Sequence, residues 1–261
     1  MKSKNIMKLV LLAIMCVPLF SCKKDNIETP PESAKLYLPA TLTVLNANTS
    51  TAIFTAHYSY NADSSLSKIE EISNGNTLRW IFDYNPNGTL KTVTQTNESS
   101  STYNVFFEFS YDVNNKVDQI AHSGYMPDTT LYTYQLGTKT YLGTGGDHDG
   151  LRLKLNSQGQ LDNMQDWQGA YDINLTYDAS KKGVFANVNY DESTVLFLSI
   201  YHFHNLSNSF FHAQQMTSAE WVDGTYTWQN YSLDDNGYIT AFDTWRGSRI
   251  SQNYIVTYNA L

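Results

Sequence analysis

The chain has 261 residues, 41% hydrophobic and 14% aromatic but only 16% charged, and 17 Lys+Arg against 25 Asp+Glu give a formal charge of −8. That apolar content excludes a disordered chain, and so few charges exclude a coiled coil. The acidic balance argues against nucleic-acid binding, which needs clustered Lys and Arg to neutralise phosphates.

Lys2, Lys4 and Lys8 precede an apolar run from Leu9 to Phe20 that is interrupted by Pro18. The run is shorter than the roughly 20 apolar residues needed to cross a bilayer, and reads as a secretory signal. Leu19-Phe20-Ser21-Cys22 resembles the lipobox of bacterial lipoproteins, which implies cleavage before Cys22 and acylation of its thiol. Residues 1–21 are then a signal peptide, and residues 22–35, polar and carrying Pro30-Pro31, an extended tether. Removing the signal leaves 14 Lys+Arg against 25 Asp+Glu, a charge of −11, and one cysteine. Without an internal disulfide, stability has to come from a packed core. The lipid implies a membrane partner and an outer-membrane location, facing either the periplasm or the exterior.

Residues 36–261 read as one domain built on a repeated unit. Tyr60-NADSS-Leu66, Tyr84-NPNGT-Leu90, Tyr111-DVNNK-Val117, Leu155-NSQGQ-Leu161 and Leu233-DDNGY-Ile239 share an apolar anchor, an Asn or Asp, a polar stretch and a second apolar residue. Tyr177-DASKKG-Val184 is the same unit with one extra residue. Asn or Asp at the first turn position can bond the backbone two residues on, and Pro86 presets φ for a type I turn. Gly88, Gly159 and Gly237 supply the positive φ that closes such a loop with a bulge. The flanking segments alternate: Tyr103, Val105, Phe107, Phe109 and Tyr111; Leu151, Leu153 and Leu155; Tyr171, Ile173, Leu175 and Tyr177. Period-2 alternation marks a sheet with one face buried. Anchor spacings of 44 after Tyr111 and 56 after Tyr177 are near twice the others, so each is expected to hide a degenerate copy. The expected fold is all-β: a large antiparallel up-and-down meander of roughly 14–16 strands, strongly curled or barrel-like, with no segment showing a helical period.

The motif Tyr-Asp/Asn-x-Asn-Gly-x-Leu-x-x-Val is similar to the YD units of RHS-type proteins. Together with the lipobox, the Leu36-Tyr-Leu-Pro39 start and the final Leu233-Asp-Asp-Asn-Gly-Tyr238 copy, it resembles a family of Gram-negative lipoproteins described as having a porin-like fold. The resemblance spans nearly all of residues 36–261 and carries no catalytic residues. This chain departs from the YD pattern where Leu155 and Leu233 replace Tyr.

Chemistry-bearing residues are sparse. Asp112, Asp178, Asp234 and Asp235 fall at turn positions, where backbone geometry alone calls for them. His202 and His204 are expected on a strand, where residues i and i+2 share a face and could ligate one metal, with His212 returning as a third ligand. Gly145-Gly-Asp-His-Asp-Gly150 is a wide acidic loop, conceivable as a calcium loop but short of a full oxygen shell. Trp228 and Trp245 are expected to be partly exposed, opposite in parity to Tyr231, Leu233 and Phe242, and to offer stacking surfaces for a glycan. Asp128-Thr129-Thr130 resembles an acceptor triplet for O-glycosylation at Thr129. The reading that follows is a non-enzymatic, lipid-anchored binding or scaffold module for a glycan or protein ligand, with no cofactor. An envelope assembly or lipid-handling protein is the alternative, and a metal-dependent hydrolase the third.

Overall fold

The computed structural model describes residues 35–165, 172–201, 212–221 and 224–260. Cys22, the signal segment and the tether as far as residue 34 lie outside these residues, as do His202 and His204. The first eight strands are β1 (Tyr37–Asn46), β2 (Ala52–Tyr60), β3 (Leu66–Ser73), β4 (Asn76–Tyr84), β5 (Leu90–Asn97), β6 (Val105–Tyr111), β7 (Val117–Gly124) and β8 (Asp128–Gln135). Next come β9 (Thr140–Thr144), β10 (Arg152–Leu155), β11 (Leu161–Gln165) and β12 (Asp172–Lys182). A helix, α1 (Glu192–Tyr201), precedes β13 (Gln214–Trp221), β14 (Gly224–Leu233), β15 (Ile239–Arg246) and β16 (Arg249–Ala260). Each strand pairs antiparallel with its sequence neighbours, and β1 pairs with β16 from Tyr37↔Ala260 to Asn46↔Gln252, closing a 16-strand barrel.

The expected all-β meander is thus present, and closed. Its core lies inside. Along β6, Phe107 and Phe109 are buried while Glu108 and Ser110 face water; along β12, Ile173 and Leu175 are buried while Asp172 and Asn174 are exposed. Outward apolar residues form no continuous band: Ile81 is separated from Phe106 by Thr94 of the intervening strand, and the exposed Tyr103 and Tyr125 rings pair only with each other at 4.8 Å. A membrane-spanning barrel has the opposite alternation, an apolar band about 25 Å tall facing outward around a polar lumen.

The repeated hexads form one rim of the barrel. In five of them the fifth residue has positive φ: Ser64 (67°), Gly88 (86°), Asn115 (58°), Gly159 (77°) and Gly237 (79°). The second residue's N–H bonds the sixth residue's carbonyl, as in Asn85 N–H to Thr89 O at 2.8 Å and Asp112 N–H to Lys116 O at 2.8 Å. Each hexad then shifts register by one, which leaves backbone groups unpaired at its end. The anchor tyrosines meet that need from the neighbouring repeat. Tyr84 donates its hydroxyl to Leu66 O at 2.8 Å, Tyr177 to Leu161 O at 2.5 Å, Tyr258 to Ile239 O at 2.9 Å, and Tyr111 to Leu90 O. Burial is the first cause pushing these phenols above their usual range, so they stay protonated donors. The tyrosine of the motif is therefore a clasp between hairpins.

Two expectations need correction. The gap after Tyr111 does hide a further hairpin at the hexad rim, β8–β9, whereas the gap after Tyr177 holds, among the described residues, only β13–β14, which turns at the opposite rim. β12 runs on through the Tyr177 unit to Lys182, with an irregularity between Asp178 and Lys182, and the extra length becomes α1. The segment from Val195, read as a strand, is helical and buried on every side from Ser193 to Ile200. A helix that is apolar all round has no amphipathic period to read, and a short apolar run is ambiguous between helix and strand.

The helix fills the barrel. The Asp191 carboxylate caps its start, accepting the Ser193 and Thr194 N–H groups at 3.0 Å each. Ser193 Oγ in turn accepts the Leu90 N–H at 2.9 Å, one of the groups freed by a hexad bulge. Glu192 bonds Lys116 Nζ at 2.5 Å and the Tyr141 hydroxyl at 2.6 Å, in the first turn where a negative charge suits the helix dipole. Further along, the Phe197 ring lies 5.1–5.9 Å from those of Trp80, Phe82, Phe107 and Phe109. The helix thus enters at the hexad rim, and Tyr201 reaches toward the opposite mouth.

Candidate functional site

The hexad carboxylates do not gather into a site. Asp112 Oδ1 accepts the N–H groups of Asn114 and Lys116, and Asp234 Oδ1 those of Asn236 and Tyr238, all at 2.8–2.9 Å. The Lys116 N–H is the first cause that holds the Asp112 carboxyl below its ordinary value, and Ser180 plays that part for Asp178. Their role is turn geometry.

The opposite mouth is different. It contains a cavity of about 380 Å³ bordered by the β3–β4 turn and by the ends of β2, β5 and β16. This volume falls within the range of roughly 300–1,000 Å³ typical of small-molecule sites. Its polar lining includes Ser73, Asn74, Asn76, Asn97 and Gln252, and its apolar lining Ile53, Phe54 and Leu78. Glu71, 7% exposed, brings a carboxylate to the cavity from inside the barrel and accepts Trp80 Nε1–H at 3.1 Å. Primary amides and a carboxylate offer paired donors and acceptors of the kind vicinal hydroxyls require.

A second polar group stands on the same mouth. His122 (β7) and Asp128 (β8) are register partners, with Nε2 3.8 Å from Oδ2. The β9–β10 loop folds over them. Asp147 N–H donates to Asp128 Oδ2 at 2.6 Å, and a Cβ at Gly146 (φ 64°) would fall 2.2 Å from that oxygen, so only glycine lets the loop approach this closely. One ligand atom each from His122, Asp128 and Asp147 lies within 4.8 Å of the others. Burial works against the Asp128 charge, but the Asp147 N–H and the nearby imidazoles of His122 and His148 hold its carboxyl below its usual value. Asp149 is engaged with its own loop, accepting Gly145 N–H at 2.8 Å. Thr129 is exposed on β8.

The other sequence-derived candidates fare unevenly. His212 is 2% exposed and packs edge-on to Tyr177 at 5.0 Å, in the core beside Val184 and Met216 rather than with carboxylates. Burial pushes its imidazole down to about 3, so it is neutral. Trp228 is 4% exposed, contrary to the expected exposed platform. The reason is a bulge after Gln229, where Asn230 has φ 55°, which turns both Trp228 and Tyr231 inward despite their opposite parity. Trp245 is half-buried. Asp147 and Asp128 stood in stretches noted from the sequence, the acidic glycine loop and the Asp128-Thr129-Thr130 triplet, but His122, Glu71, Asn97 and Gln252 were missed because they come from separate hairpins and carry no local signal.

A closed, up-and-down β-barrel with YD-type hairpins clasped by tyrosine defines the class of the molecule. The Teneurin YD-shell family profile matches residues 41–254, and the chain belongs to that family. Among solved structures it is similar to a porin-like protein from Bacteroides uniformis, with 11% identity and a TM-score of 0.45 over 85% of this chain and 98% of that one. A porin-like protein from Bacteroides vulgatus gives 10% identity and a TM-score of 0.40 over 87% of this chain and all of that one. No curated protein matches the sequence.

Proposed function

We propose that the protein is a non-enzymatic binding module, held at the outer membrane by a lipid on Cys22, whose mouth cavity takes a sugar unit of a polar glycan. The observation that carries this reading is the cavity of about 380 Å³ in which amides of Asn74, Asn76, Asn97 and Gln252 and the Glu71 carboxylate stand beside Phe54 and Leu78. Hydroxyl groups of a sugar find donors and acceptors there, and its C–H faces find apolar wall. The lipid-handling alternative needs an open apolar trough, whereas α1 and the aromatic residues around Phe197 occupy the barrel interior.

Isothermal titration against a panel of neutral and acidic oligosaccharides tests the proposal. A saturable ligand is expected whose affinity falls at least tenfold in Glu71→Gln and in Asn76→Ala, with melting behaviour little changed. Absence of binding across the panel, or binding indifferent to both substitutions, would overturn it and direct the search to a protein ligand.

A further inference from the structure

We infer that His122, Asp128 and Asp147 form a binding site for a divalent first-row transition ion such as Zn²⁺, clamping the β9–β10 loop onto the β7–β8 hairpin. Three features converge on it. The three side chains come from two strands and a loop and bring one potential ligand atom apiece within 4.8 Å of the others. The His122 side chain is only 9% exposed and its Nε2 faces Asp128 at 3.8 Å, beyond hydrogen-bonding distance, while its buried Nδ1 has no hydrogen-bond partner among the described residues. A nine-tenths buried imidazole aimed at two carboxylates without a bond to either is the arrangement a cation completes. Finally, the loop rests so closely on Asp128 that a side chain at Gly146 would strike Asp128 Oδ2, Thr129 O and Thr130 Oγ1, so Asp147 is held over the pair rather than left to wander.

The donor set names the class of ion. Zinc takes imidazole nitrogen at about 2.0–2.1 Å and carboxylate oxygen at about 2.0–2.2 Å, and an imidazole ligand disfavours Ca²⁺ and Mg²⁺, which select oxygen shells. Three protein ligands leave a position for water, on the side where Asp147 is exposed. The ring of Tyr201 closes the inner side, packed against Phe107 at 4.5 Å and His148 at 5.3 Å. This site shares no residue with the glycan cavity.

The test is titration of the chelator-stripped full chain with Zn²⁺, and separately with Ca²⁺, by calorimetry and by thermal melting. Zn²⁺ is expected to bind and raise Tm. Asp147→Asn, at an exposed position that leaves the fold intact, and His122→Gln should each weaken Zn²⁺ at least tenfold and abolish the Tm gain, whereas the exposed-site control His57→Ala should not. Failure of the wild-type chain to take up Zn²⁺ would overturn the inference. So would uptake unchanged in Asp147→Asn, or Ca²⁺ binding that exceeds Zn²⁺ binding and ignores His122→Gln.

Discussion

His212 makes the acid stability of the barrel calculable. Its ring is buried against Tyr177, and burial lowers its pKa from the ordinary 6.5 to about 3. Well above pH 6.5 the ring is neutral in folded and unfolded chains alike, and contributes no pH dependence. As the pH falls below that value, the unfolded chain takes up a proton that the folded chain refuses. Stability therefore drops with a slope approaching about 1.4 kcal/mol per pH unit until about pH 3, where the folded ring protonates too. From pH 7 to pH 4.5 this amounts to about 2.5 kcal/mol, or a Tm lower by roughly 5–10 °C for a domain of this size. Asp63, Asp112, Asp178 and Glu70 also lose stabilising charge in acid, but their ordinary values are 3.8–4.5 and their folded values lie lower, so the window from 4.5 to 6.5 belongs to histidine. Thermal melts of the wild type and of His212→Leu, at half-unit steps across that window, isolate the effect from the remaining histidines. The variant's Tm should decline more shallowly by that amount. Two parallel declines would refute the account of a buried, neutral His212.

Four further outcomes are expected. Tyr84→Phe removes the donor to Leu66 O and should cost about 1–3 kcal/mol in urea unfolding, the range for leaving a buried carbonyl unsatisfied. Phe197→Ala, which empties the aromatic box around α1, should cost about 3–5 kcal/mol, measured the same way. At Gly88, whose Cβ position is open space but whose φ is 86°, Gly88→Ala should cost on the order of 1 kcal/mol from backbone conformation alone. Gly88→Asn should recover part of that, as Asn115 already holds the same hexad position at φ 58°.

The hexads were legible because their chemistry is local: Asn or Asp bonding its own backbone and a residue tolerant of positive φ leave a mark in six consecutive letters. α1 was not, because burial on all sides removes the polar stripe that betrays a helix. Its cap was readable even so, since Asp191-Glu192-Ser193-Thr194 places an N-cap acceptor and a first-turn acid before an apolar run. Trp228 was assigned to the wrong face by simple alternation, which Asn230 breaks with one inserted residue. The mouth was the least legible part. Glu71, Asn97 and Gln252 meet only because the sheet closes, and Asp147 reaches Asp128 only because Gly146 has no side chain.

The β1–β16 seam also makes the sheet endless. Tyr37 lies against Ala260, and Asn187 from the inserted segment donates to Tyr37 O, so the two ends of the domain are stitched at one point of the hexad rim. Any exposed hexad, such as the one at Asn87-Gly88, is consequently a place where the backbone can be opened while the old ends are spliced by a short linker. Such circular permutants keep every strand neighbour. What they alter is the longest-range pairing, now made across more than 200 residues between β1 and β16, and with it the order in which the ring is sewn shut.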